Sequence, residues 1–321
     1  MTSPEVQPFM AGPGPVQAWM PRPYQQLLRG PNLRWWRPLV SIAVVIGVTG
    51  VAVITIGTLF AAFTEAGGSG SGDDGFDAWS VSPVGMLVTN LMLAALIPIA
   101  QLGVWAGFGW TPRWVASVTG GMRWGWTARC YLAVTVAMGA FTLATLVPFG
   151  GLSWAPEKQW AWLLLVVLIS TPLQAAGEEY LFRGWICQTV GSMFARPVVG
   201  ALIGGLLSTW LFALAHGQQD PWLFADRFVF GAIACYLAWR TGGLEAGIAM
   251  HGVNNIIVFV ITIAGGELEE SLNASQSDPL SLGVDVVSMV LTAGVLLWLA
   301  RQLRPVRLFV PPQPLLAPVR W

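Results

Sequence analysis

Charge is what this chain has least of. Only 10% of its 321 residues are Asp, Glu, Lys or Arg, and they balance to a formal net charge of zero. Soluble globular chains carry roughly a quarter charged residues, so a surface that faces water all round is excluded. With no block of basic residues, a nucleic-acid partner is excluded as well. Cysteine occurs three times and histidine twice. Cys130, Cys187 and Cys235 are odd in number and show no C-x-x-C spacing, which argues against a disulfide framework or a zinc ribbon. They read as small packing residues. An apolar signal core is missing too: the first thirty-odd residues are rich in Pro and Gly and read as a disordered tail, 1–37.

Apolar surface is what the chain has in plenty. Hydrophobic residues make up 55% of it, mean hydropathy is +0.63, and many of the 18 tryptophans stand near the ends of apolar runs. That is the pattern of a chain whose solvent is the lipid bilayer. The expected fold is all-α, a polytopic bundle of about eight transmembrane helices. The runs lie near 38–63, 84–108, 130–147, 160 onward, 198–215, 221–239, 244–264 and 284–300. Pro98 predicts a kink in the second run. The next helix breaker after Trp160 that ends a helix is Pro197, so the fourth helix is expected to continue to about Ala195. The loops near 64–82 and 265–283 are acidic, whereas the flanks carrying Arg34, Arg37, Arg301 and Arg304 are basic. The positive-inside rule then puts both termini in the cytoplasm, which requires an even number of spans.

One stretch stands out against this apolar background. Gly177-Glu178-Glu179-Tyr180-Leu181-Phe182-Arg183-Gly184 places two carboxylates and an arginine at the end of an apolar run. Ionisable groups at membrane depth are costly and by default mark function. Glu179 and Arg183 are four apart with the acid N-terminal, the favourable order for a helical ion pair. Glu178 lies about 100° round the helix and is free to face a cavity as a general base. The two histidines also sit in apolar segments, with Phe212 four residues before His216 and Asn255 four after His251. Such groups must turn to the bundle interior and find polar partners.

These three blocks, Glu178-Glu179-x-x-x-Arg183, Phe212-x-x-x-His216 and His251-x-x-x-Asn255, resemble in order and spacing the CAAX protease and bacteriocin-processing (CPBP, or Abi) family. That family includes the type II CAAX prenyl endopeptidases. The resemblance covers about 160–264. It implies an enzyme, an intramembrane endopeptidase with its catalytic cavity inside the bundle, acting on a peptide or membrane-anchored protein. By the same resemblance Glu178 and His216 activate water, His251 and Asn255 hold the oxyanion, and Glu179 and Arg183 support the site. No cofactor is favoured, because Asn255 beside His251 reads better as an oxyanion donor than as part of a zinc shell. The alternative is a zinc ion on Glu178, His216 and His251, although no H-E-x-x-H is present.

The chain then divides into a cytoplasmic tail (1–37), three N-terminal spans (38–150), the catalytic core (151–264), an acidic outer loop with the last span (265–304) and a second cytoplasmic tail (305–321). Low Lys with high Ala, Gly and Trp suggests a bacterial plasma membrane, where prenylated substrates are not expected. Two other classes compete: a non-catalytic scaffold or immunity protein of the same family, and a transporter. The complete motif set argues against the first, and the lack of matching interrupted helices against the second. One tension is built in. Full crossings would put Glu178 and His216 near opposite faces, unless the fourth helix runs on towards Ala195 or the fifth span is short or bent at Gly204-Gly205.

Overall fold

The computed structural model describes residues 21–30, 33–67, 79–147 and 154–311. Among them, eight helical stretches are long and apolar enough to cross a membrane, matching the expected number. The chain is an all-α bundle. Helix α1 spans Arg37–Gly67 and is followed by α2 (Pro83–Ala94) and α3 (Leu96–Phe108), which together form the second crossing. The interruption between α2 and α3 follows from Pro98, which has no N–H to offer the carbonyl of Ala94. Helix α4 covers Trp124–Leu146 and starts earlier than hydropathy suggests, taking Trp124, Trp126 and Arg129 out of the loop.

The fourth crossing is α5 (Trp160–Glu179), a π-helical stretch Tyr180–Ile186, and α6 (Cys187–Gly191), a continuous run of 32 residues. The expected extension is therefore present but stops at Gly191, short of Ala195. Then come α7 (Pro197–Leu214), α8 (Pro221–Thr241), α9 (Glu245–Gly265), the short α10 (Leu268–Leu272) and α11 (Pro279–Leu303). Helix α9 is the hub: half of its most apolar window is buried, against 17% for α1 and α4, and it packs on α4, α5 and α8.

The depth problem is resolved by this geometry. From the turn that joins α6 to α7, Glu178 lies back by about 20 Å and the end of α7 lies forward by about 26 Å, at about 1.5 Å per residue. The two arms run side by side and bring Glu178 and His216 to similar depth.

Apolar side chains gain little by leaving lipid for each other, so close backbone approach and internal hydrogen bonds hold such a bundle. Gly177 packs on the α2–α3 interruption: a Cβ there would lie 2.0 Å from the carbonyl oxygen of Leu93. At Gly204 a Cβ would lie 2.7 Å from the carbonyl oxygen of Cys187, which is how α7 closes on α6. Asn90 on α2 donates to Ser170 on α5 at 2.8 Å, and Trp185 donates to Ser41 on α1 at 2.7 Å. All three cysteines are buried and unpaired.

Part of the expected disordered tail is instead packed. Tyr24, Leu27 and Leu28 are wholly buried, Tyr24 donates to the carbonyl of Val115, and Gln26 donates to that of Phe194 at 2.7 Å. Strand β1 (Arg22–Pro23) pairs antiparallel with β2 (Leu308–Phe309), so segments near the two termini clasp each other. The rest of that tail, 1–20 and 31–32, lies outside the described residues, as do most of the 64–82 loop and 312–321.

Candidate active site

The end of α5 supplies Gln174, Glu178 and Glu179 on successive turns. The two carboxylates diverge as the helical geometry requires. Glu179 is fully buried, with Oε1 3.1 Å from Nη1 of Arg183. Glu178 reaches the wall of a cavity of about 330 Å³. Arg183 sits inside the π-helical stretch, a widened turn of the kind often found at functional sites. Its guanidinium is completely buried, 4.1 Å from the centre of the Phe212 ring. A buried charge without compensation costs several kcal/mol; the Glu179 carboxylate and the Phe212 π-face compensate this one.

Two glycines make room for the pair. A Cβ at Gly247 would lie 3.0 Å from Oε2 of Glu179, and one at Gly231 would lie 3.1 Å from Nη2 of Arg183. Helices α8 and α9 can therefore lay bare backbone against the charged groups.

His251, on α9, joins the two carboxylates. Its Nδ1 is 3.0 Å from Oε1 of Glu179 and its Nε2 is 3.3 Å from Oε2 of Glu178. Only the contact with Glu179 has hydrogen-bond geometry; among the described residues Oε2 of Glu178 makes no hydrogen bond. The imidazole is set against Phe212 and Phe230, whose ring centres lie 5.8 and 4.8 Å from its own.

His216 follows the C-terminal end of α7. Its Nδ1 is 2.8 Å from the carbonyl oxygen of Phe212, which turns Nε2 away from the helix end. Although the residue is exposed at the cavity mouth, the atoms crowded round its ring disfavour the charged form. They hold its pKa below the ordinary imidazole value, while the negative charge of Glu178 pulls it upward. On the opposite wall Asn255 donates from Nδ2 to Oε1 of Gln174 at 3.1 Å, and Asn254 donates to Oδ1 of Asn255 at 3.4 Å.

Of the six residues singled out in the sequence, Glu178, His216, His251 and Asn255 line one cavity. Glu179 and Arg183 lie behind it, joined to it through His251. Among the lining residues that carry no motif are Gln174, Asp226, Arg227 and Phe230. Gln174 stands one turn before Glu178, but the sequence reading missed it, because an amide in an apolar run gives no signal by itself. Asp226 and Arg227 belong to none of the three motif blocks, and it is the packing of α8 that turns them to this cavity.

The zinc alternative can be tested on the side chains themselves. Among the described residues, no three His, Cys, Asp or Glu side chains gather as a metal-binding group. Nδ1 of His251 faces Glu179 and Nε2 faces Glu178, and no chemical step is derived through a metal.

With this geometry in view, similarity to known proteins is informative. Residues 159–257 match the family described as type II CAAX prenyl endopeptidase Rce1-like, a segment that contains every motif residue of the cavity. A Bacillus subtilis protein described as the uncharacterized protein YyaK is 27% identical over 149 residues, 44% of this chain and 50% of YyaK. The chain thus spans about half the length of that curated relative. No solved structure matches it. Residues 159–257, within a chain whose helices are long and apolar enough to cross a membrane, are thus similar to the Rce1-like CAAX protease family.

Proposed function

We propose that the chain is an intramembrane endopeptidase that hydrolyses a peptide bond in a membrane-associated peptide or protein. The observation that carries this reading is the meeting of Glu178, His216, His251 and Asn255, from two helices and the turn that follows a third, on one cavity inside an apolar bundle. Hydrolysis needs a base to take a proton from water and donors aimed at the developing oxyanion. Glu178 and His216 are the acceptors with open access to the cavity. Water bound between them gives up a proton as its oxygen adds to the scissile carbonyl carbon. The carbonyl oxygen, now negative, accepts hydrogen bonds from Nε2 of His251 and Nδ2 of Asn255. The proton taken from water then passes to the amide nitrogen, the C–N bond breaks, and a carboxylate and an amine leave.

Glu179 and Arg183 act in this scheme by holding His251 and the α5 face, without touching substrate. The Rce1-like match over 159–257 supports the protease class. A free-standing metal-independent reaction is the form proposed, with Glu178 as the base.

The test uses purified full-length protein on a library of internally quenched peptides, with Glu178→Ala and His216→Ala alongside wild type. Cleavage is expected from wild type alone. Equal cleavage by both variants would refute the site. Loss of wild-type cleavage on chelation, with recovery on adding zinc, would overturn the metal-independent form while leaving the protease assignment standing.

A further inference from the structure

Gln174 belongs to none of the three motif blocks, yet it is the partner of a group assigned to the oxyanion. Its side chain is 6% exposed, lines the cavity, and accepts from Nδ2 of Asn255 at 3.1 Å. A primary amide presents two N–H donors on one side and a carbonyl on the other, and its terminal torsion is broad and roughly two-fold. Left alone, Asn255 could offer the cavity either face. A carbonyl aimed at a developing oxyanion would repel it, whereas an N–H stabilises it. The orientation therefore has to be fixed from outside.

Two contacts fix it. Asn254 donates to Oδ1 of Asn255, and Gln174 accepts one of the two Nδ2 hydrogens. The carbonyl and one N–H are then occupied, which leaves the second N–H for the cavity. Gln174 also stands four residues before Glu178 on α5, so both project from the same helix face. The base and the anchor of the oxyanion donor are thereby carried by one rigid element, while the donor itself belongs to α9.

We infer that Gln174 is a positioning residue of the hydrolytic site, acting through Asn255 to present its N–H to the oxyanion. This rests on the proposed hydrolysis. Removing an oxyanion donor outright costs about 10²–10³ in kcat; removing only what orients it costs less, roughly tenfold. The effect falls on kcat rather than KM, because the oxyanion exists only in the transition state. The side chain needed is an acceptor, so Gln174→Glu, which can only accept when ionised, keeps the contact that Gln174→Ala destroys.

The experiment is a double-mutant cycle on a peptide that the wild type cleaves, using full-length Gln174→Ala, Asn255→Ala and the double variant, with Gln174→Glu as the rescue. Thermal unfolding of each variant shows that it is folded. Gln174→Ala is expected to lower kcat about tenfold with KM little changed, and to have no further effect once Asn255 is Ala. Gln174→Glu should recover most of the lost kcat at the alkaline plateau. Its acid limb should move to higher pH, because an added carboxylate favours the protonated forms of its neighbours. A wild-type kcat in Gln174→Ala would overturn the inference, as would a full tenfold loss repeated in the Asn255→Ala background. A wild type that cleaves no peptide sinks the hydrolytic reading itself, and this inference with it. An active wild type with independent losses sinks the role of Gln174 alone.

Discussion

Two buried glutamate–arginine pairs can be compared directly, because each glutamate is completely enclosed. Glu245, at the start of α9, takes the Nε and the main-chain N–H of Arg123 on Oε1 at 2.7 and 3.0 Å, and Nη2 on Oε2 at 2.6 Å. Nη1 of Arg123 donates to the carbonyls of Thr241 and Val306. Both carboxylate oxygens are satisfied, and the pair ties α4, α8, α9 and the C-terminal segment together. The Glu179–Arg183 pair differs in kind. It makes one close contact, shares Glu179 with His251, and leaves Oε2 of Glu179 and Nε and Nη2 of Arg183 without a hydrogen-bond partner. A saturated pair fixes a fold, whereas an unsaturated one beside a cavity retains electrostatic force for something else. Buried charge therefore marks the site only when it is read with its remaining hydrogen-bonding capacity.

The largest expected effect follows from breaking the cavity side of this contrast. Glu178→Gln should lower kcat by about 10²–10⁴, the range of a general base, with little change in unfolding temperature, because Oε2 of Glu178 has no hydrogen-bond partner to lose. Single-turnover cleavage and thermal unfolding in the same detergent measure both. The saturated pair should respond in the opposite way. Arg123→Ala leaves Glu245 buried and alone, which costs about 3–5 kcal/mol of stability, while protein that remains folded keeps wild-type kcat. An Arg123→Ala variant with normal stability would erase the distinction between the pairs. A smaller and more selective change is Arg183→Lys. It keeps the charge for Glu179 but loses the flat guanidinium over Phe212, worth up to about 2 kcal/mol when desolvated. A roughly tenfold loss of kcat is expected, with the protein still folded.

The sequence made some of this visible and hid the rest, for physical reasons. Spans are legible because lipid demands long apolar runs, and each of the eight expected runs needed only its ends adjusted. The motif blocks are legible because each sits within one helix, where four-residue spacing fixes a shared face. Partners contributed by other helices are not. Gln174 meets Asn255 across 81 residues of chain, and Arg123 meets Glu245 across 122. The packed segment Arg22–Leu28 was hidden by its own composition: Pro and Gln read as disorder, whereas the buried Gln25 and Gln26 side chains donate to the carbonyls of Cys235 and Phe194. Nor does any residue pattern announce the π-helical turn at Tyr180–Ile186, which carries Arg183 against the ring of Phe212.

The finest test of the cavity's electrostatics uses pH. His216 has to be neutral to accept a proton, so activity is present above its pKa and lost as pH falls through it. Crowding round the ring lowers that pKa, and Arg227 and His251 lower it further, against the upward pull of Glu178. The acid limb of kcat/KM should therefore fall below about 6.5, the ordinary imidazole value. Arg227 also lines the cavity, and its Nη1 donates to the side chain of Gln219. In Arg227→Gln a positive charge near His216 is gone, the protonated imidazole becomes easier to form, and the limb moves to higher pH. The plateau rate should hold, since Arg227 takes no part in the proton transfers. A limb that stays in place in Arg227→Gln would show that the charge of Arg227 does not reach the titrating group, and would remove Arg227 from the electrostatics of the cavity.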